Sequence, residues 1–147
     1  MVAMAKADKI TLETQDNYQK QTYRNRCSIY GANGKLNLII PVEHNKVLAH
    51  QKDGVVKIKW DENWQKQHWK SIASAYSSSP FFKFCEDELK AAFFMQPKTL
   101  AAFNQGLLRC IFEWLDLEDE FLFSDKYKAL TPLEEYLLNP KQESDKL

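Results

Sequence analysis

The chain has 147 residues, 44% hydrophobic and 13% aromatic, with only 4 Gly and 5 Pro: enough apolar material for one core-bearing domain, and the wrong composition for a disordered, collagenous or disulfide-stapled chain. Its 20 basic side chains balance 20 acidic ones, which argues against a general nucleic-acid binder, because neutralising phosphates takes a basic excess. The zero is a cancellation, since residues 1–60 hold ten basic and five acidic side chains whereas residues 111–147 hold four and ten.

No apolar run approaches the roughly 18 residues of a membrane span, and the N-terminus lacks the apolar stretch of a signal peptide. A cytoplasmic address without a membrane span is therefore expected. Cys27, Cys85 and Cys110 are odd in number and far apart, which suits reduced, buried thiols better than a disulfide framework. No CxxC or HxxxH spacing accompanies them, so no metal is expected. Gly31, Gly34, Gly54 and Gly106 make no phosphate-binding loop, and no cofactor is expected.

Along the chain, residues 9–13 alternate and are β-branched, like a strand. Residues 23–30 alternate again and 36–42 form an apolar run; Gly31-Ala-Asn-Gly34 between them predicts a β-hairpin, with Asn-Gly favouring a type I′ turn. Residues 44–53 read as a polar loop and 55–59 as a further short strand. Asp61 can cap a helix to about Tyr76. Ser79 followed by Pro80 starts a second over 81–94, and a third covers 99–117, where Leu100, Phe103, Leu107, Ile111 and Leu115 recur at three and four. In it Gly106 is expected to permit close packing. An acidic, aromatic stretch over 118–127, a short helical segment over 132–138 and a polar tail over 140–147 complete the chain. Strands first and helices afterwards predict an α+β fold, with N-terminal strands, an Asn-Gly hairpin and three main helices, as a single domain over 1–139 with a flexible tail at 140–147.

Arg24 and Arg26 are two apart in a predicted strand and share a face, while Tyr23, Asn25 and Cys27 take the other. Lys57 and Lys59 repeat the arrangement, so neighbouring strands would bring four cations together as an anion site. The plain alternative is a solvated face paired with acidic side chains of the C-terminal segment. On the first helix Trp64, His68, Ser71, Ile72 and Ala75 form one stripe. His68 is then either a satisfied core residue or a general acid or base. Trp60, Trp64 and Trp69 are either core or a stacking platform.

Two stretches carry a more specific signal: Asn-Tyr-Gln-Lys-Gln-Thr-Tyr-Arg-Asn-Arg-Cys over 17–27, and Asp-Glu-Asn-Trp-Gln-Lys-Gln-His-Trp-Lys-Ser-Ile over 61–72, followed by Ala75-Tyr76 and Ser-Pro-Phe-Phe over 79–82. In this order, with the hairpin and an Ile-Pro-Val strand end between them, they resemble the WbqC-like family of bacterial proteins over roughly residues 5–117. Members of that family are usually longer, opening on a Gln-Pro strand and closing on a further helical segment. The chain is thus expected to be truncated at both ends, with its acidic C-terminal part matching poorly.

The resemblance implies a role in surface-polysaccharide, O-antigen-type, biosynthesis and the transfer of an aminoacyl group such as glycine onto a sugar. The polar positions it carries over are Gln19, Tyr23, Arg24, Asn25, Arg26, Trp64, Gln67, His68, Lys70 and Tyr76. Two readings follow. In the first, a transferase binds an anionic small molecule, a nucleotide-linked sugar or a carrier-linked substrate, on Arg24 and Arg26, with His68 as the catalytic acid or base and a tryptophan packed on the sugar. In the second, a non-catalytic binding or assembly protein, or an inactive family member, pairs its basic and acidic parts within the chain or between subunits as an oligomer. No nucleic-acid partner is expected in either.

Overall fold

The computed structural model describes residue 4 and residues 9–20, 22–43, 51–60, 63–117 and 121–129. The capping of the first helix by Asp61, most of the polar loop, the helical segment over 132–138 and the tail lie outside the described residues. In chain order come β1 (Ile10–Leu12), β2 (Arg26–Gly31), β3 (Gly34–Ile39), a 3-10 turn (Asp53–Val55), α1 (Trp64–Tyr76), α2 (Phe82–Phe94), α3 (Leu100–Trp114) and β4 (Phe121–Phe123). This is the expected α+β arrangement, with two small sheets and three helices.

The hairpin joins β2 to β3 in antiparallel register, Ile29 opposite Leu36 and Gly31 opposite Gly34. Its turn chemistry differs from type I′. The positive φ falls on Gly34, at 98°, and not on Asn33, so the backbone turns ahead of a left-handed glycine instead of placing both central residues there. β2 starts at Arg26, three residues later than the alternation predicts, because residues 22–25 turn: the Thr22 hydroxyl donates to the Gln19 carbonyl at 3.0 Å.

β4, within the acidic, aromatic stretch, pairs in parallel with β1, Ile10 opposite Phe121 and Leu12 opposite Phe123. Three residues are too short for a period of two to show. Of the predicted strand over 55–59, Val55 closes the 3-10 turn and the residues after it make only single bridges, Lys57 to Thr99 and Ile58 to Val42. Val56 and Ile58 turn inward to the core, at 1% and 3% exposure.

α1 begins at Trp64, whose indole Nε1–H donates to the Lys59 carbonyl at 3.0 Å. α2 begins at Phe82 without a side-chain cap; the Ser79 carbonyl accepts the Phe82 N–H at 3.2 Å, so Ser79 and Pro80 form a turn ahead of the helix rather than its cap and first residue. α3 is capped by Thr99, whose hydroxyl accepts from the Ala102 N–H at 3.3 Å. It stops at Leu115. Asp116 takes φ 52°, the Leu117 N–H reaches the Phe112 carbonyl at 3.0 Å and the Asp116 N–H the Glu113 carbonyl at 3.2 Å, a Schellman ending with an aspartate in the place usually held by glycine.

The core gathers Val42, Val56, Ile58, Trp64, Phe93, Leu100 and Phe103, with Trp60, Trp69 and Ile72 packed against it. Trp60 stacks on Trp64 with ring centroids 5.5 Å apart, and Trp64 meets Phe93 and Phe103 edge to face. The tryptophan cluster is therefore core packing and not an open platform. Gln65 is buried and its amide donates to the Phe93 carbonyl at 2.9 Å, tying α1 to the end of α2. Gly106 faces the Met95 methyl, which a Cβ at that position would meet at 2.6 Å. Among the described residues no helix is long and apolar enough to cross a membrane.

Candidate functional site

Residues 14–18 run beside residues 51–54: the Tyr18 N–H donates to the Gln51 carbonyl at 2.7 Å, the Asp53 N–H to Asp16 at 2.9 Å and the Gly54 N–H to Thr14 at 3.0 Å. A Cβ on Gly54 would lie 3.1 Å from the Thr14 carbonyl oxygen, so glycine permits the approach. The two segments thereby set Asp16 and Asp53 side by side, and the turn before β2 places Arg24 between them. Arg24 Nε donates to Asp53 Oδ2 at 2.6 Å and Nη2 to Asp16 Oδ2. All three side chains are largely buried, at 13%, 17% and 12% exposure for Arg24, Asp53 and Asp16. From the other side the Asn104 amide of α3 donates to the Arg24 carbonyl at 2.9 Å.

This group forms one wall of a cleft of about 500 Å³. Glu13, Thr14, Tyr23, Asn104 and Gln105 add polar groups to the lining, and Leu12, Leu100, Leu108 and Phe123 an apolar floor. Arg24 contributes the one guanidinium of that lining against the carboxylates of Glu13, Asp16 and Asp53. Burial pushes the Asp53 carboxyl above its ordinary 3.8, helped by the charges of Asp16 and Glu13 and opposed by the charge and hydrogen bond of Arg24. Burial and the charge of Asp53 likewise raise the Tyr18 hydroxyl, against the pull of Arg24 and Arg26. Among the described residues three buried atoms here lack a hydrogen-bond partner: Asn25 Oδ1, Arg26 Nε and Asp53 Oδ1. Native interiors leave few such atoms.

Of the residues singled out from sequence, Tyr23 and Arg24 line the cleft. Asn25 and Arg26 follow directly, Asn25 held by its amide on the Ile40 carbonyl at 3.0 Å. Gln19 is exposed. The remaining candidates lie on α1. His68 is half-buried with its ring edge-to-face on Trp64, centroids 5.4 Å apart, and burial pulls its pKa below 6.5. Trp64 is core, while Gln67, Lys70 and Tyr76 are exposed. None of these α1 side chains lines the cleft. Lys57 and Lys59 stand on the segment that bridges to Val42 and Thr99, whereas β2 pairs with β3, so the four cations do not share one sheet face.

Asp16, Asp53, Glu13, Asn104 and Gln105 are the cleft residues that sequence reasoning missed. Asp53 lies 29 residues from its partner Arg24 and Asn104 lies 80 away, and no local period links such positions. The signal available was Asp-Gly at 53–54, which marks a tight backbone approach. Among the described residues no three His, Cys, Asp or Glu side chains stand close enough to hold a metal ion.

No curated protein and no solved structure matches the chain significantly. A sequence model of the WbqC-like protein family matches residues 1–145, beyond both limits of the stretch over which the motifs were read and including the acidic C-terminal part. With nearly the whole length matched, the chain belongs to the WbqC-like protein family.

Proposed function

We propose that the chain is a group-transfer protein of surface-polysaccharide assembly that holds the sugar end of its substrate in the Arg24 cleft. One observation carries this reading: Arg24, from the Tyr-Arg-Asn-Arg motif, is gripped through Nε and Nη2 by two carboxylates at the wall of a cleft with an apolar floor. A guanidinium fixed at two nitrogens keeps Nη1 as a preorganised donor. Carboxylates, amides and a guanidinium above aliphatic and aromatic side chains match the hydroxyls and the C–H face of a sugar. A wholly anionic ligand fits less well, because it would face Glu13, Asp16 and Asp53. The nucleotide or carrier phosphate of such a substrate then extends out of the cleft, away from these carboxylates. His68 keeps the role of acid or base only if substrate also reaches α1.

Titrating the protein with a nucleotide-linked amino sugar, the free amino sugar and inorganic phosphate, followed by amide NMR, tests this. The expected result is that both sugars perturb Tyr23, Arg24, Asn104 and Gln105, that Gln105→Leu weakens them about tenfold or more, and that phosphate leaves these signals unmoved. Phosphate binding at Arg24 without sugar binding would overturn it, as would three silent titrations.

A further inference from the structure

α2 and α3 run antiparallel, as two contacts between them show: Phe93 on Phe103, ring centroids 5.8 Å apart, and, further along, the long side chains of Trp114 and Glu88, with Trp114 Nε1 donating to Glu88 Oε2 at 2.5 Å. At about 100° and 1.5 Å per residue, Cys110 points within about 20° of Phe103 and 40° of Trp114, on the stripe of α3 that faces α2. On α2, Cys85 points between Phe93 and Glu88, the two residues that reach α3. Counted from the Phe93–Phe103 contact, Cys85 lies about 12 Å along one axis and Cys110 about 10 Å along the opposing one, so they stand at nearly one height. Cys110 is buried and Cys85 half-buried. Burial raises the Cys110 thiol, with Glu88, Glu113 and Cys85 itself adding to the rise.

We propose that Cys85 and Cys110 are an oxidation site, two thiols placed to form a disulfide that staples α2 to α3. With oxidised glutathione as the reagent, the Cys85 thiolate attacks one of its sulfurs, forming a mixed disulfide and releasing one glutathione thiolate. The Cys110 thiolate then attacks the Cys85 sulfur, the Cys85–Cys110 bond forms and the second glutathione leaves. Two electrons pass from the protein to the reagent, and the two thiol protons end on the released glutathiones. Cys85 goes first because it is the more accessible of the two and Cys110 is held as the thiol. The product closes the loop between the two helices and restricts the unfolded chain, so it stabilises the pair.

The test uses the full chain with Cys27→Ser, which removes the exposed third thiol. Treatment of the folded protein with oxidised glutathione is expected to give an intact mass lower by two hydrogens, a peptide pair linking Cys85 to Cys110, and a Tm higher by about 5 °C that reductant reverses. Adding Cys110→Ala is expected to leave a glutathione adduct on Cys85 with no cross-link. Cys85→Ser, at a half-buried position, is expected to prevent the cross-link with the fold intact by circular dichroism. Two thiols still open to alkylation in the treated folded protein would overturn the proposal, and so would a lasting adduct on Cys85 while Cys110 is present or a disulfide between chains.

Discussion

Arg24 shows how one side chain joins two segments of chain. Its guanidinium neutralises Asp16 and Asp53 where neither is well solvated. Removing it leaves two partly buried carboxylates facing each other, and Arg24→Gln is expected to cost about 3 kcal/mol at neutral pH by urea denaturation. The sign of the pH dependence separates charge from packing. A carboxyl whose folded pKa is raised gives stability that is present below its ordinary value and lost as pH rises through the folded one. In Arg24→Gln the Asp53 carboxyl loses the charge that opposed its rise, so the deficit should shrink as pH falls toward 4; a pH-independent loss would assign it to packing. His68 runs the other way. With its pKa held below 6.5 by burial, its contribution is intact above 6.5 and is lost as pH falls through the lowered value. The fall in stability between pH 7 and pH 5 should therefore be smaller in His68→Gln than in the parent, measured by Tm across that range.

At the scale of elements, the helices were the most legible part. The three-and-four spacing of α3 put Leu100, Phe103 and Leu107 on its core face. Its end needed more: a helical period runs on through Leu115 and Leu117, but the chain turns at Asp116 with φ 52°. An aspartate tolerates that conformation at a cost glycine avoids. Asp116→Gly is accordingly expected to raise stability by up to about 1 kcal/mol, whereas Thr99→Ala lowers it by about 1 kcal/mol; thermal or urea melts measure both. The hairpin at 31–34 was also legible from its glycines, yet which residue takes the positive φ was not, because Asn33 and Gly34 both tolerate it and the strands decide the matter.

At the scale of the molecule, β1 and β4 bring together segments more than a hundred residues apart. Glu13 secures the junction: it accepts from the Ser124 hydroxyl at 2.6 Å and from the Lys128 N–H at 3.1 Å. Burial raises its carboxyl, but these bonds and that of the Gln15 N–H outweigh it and hold the pKa below the ordinary 4.5. The stability it contributes is thus present above 4.5 and lost as pH falls through the lowered value. A double-mutant cycle of Glu13→Gln and Ser124→Ala should show a coupling of roughly 0.5–1 kcal/mol at pH 7 that fades in acid. Additive effects at neutral pH would mean that the two side chains do not cooperate in joining the ends.

The sequence alone determined the α+β class, three helices with their apolar faces, the hairpin position and, through the Tyr-Arg-Asn-Arg and Trp-Gln-Lys-Gln-His-Trp motifs, the family. Each of these is written in residues close together, where spacing translates directly into a face, a cap or a turn. Only the tertiary structure decided that Arg24 sits in a turn between two carboxylates, that β4 joins β1, and that the cleft takes its polar groups from residues 13–16, 24, 53 and 104–105. Those pairings depend on chain closure over tens of residues, and the energy that selects them comes from burying the core, which no local pattern records.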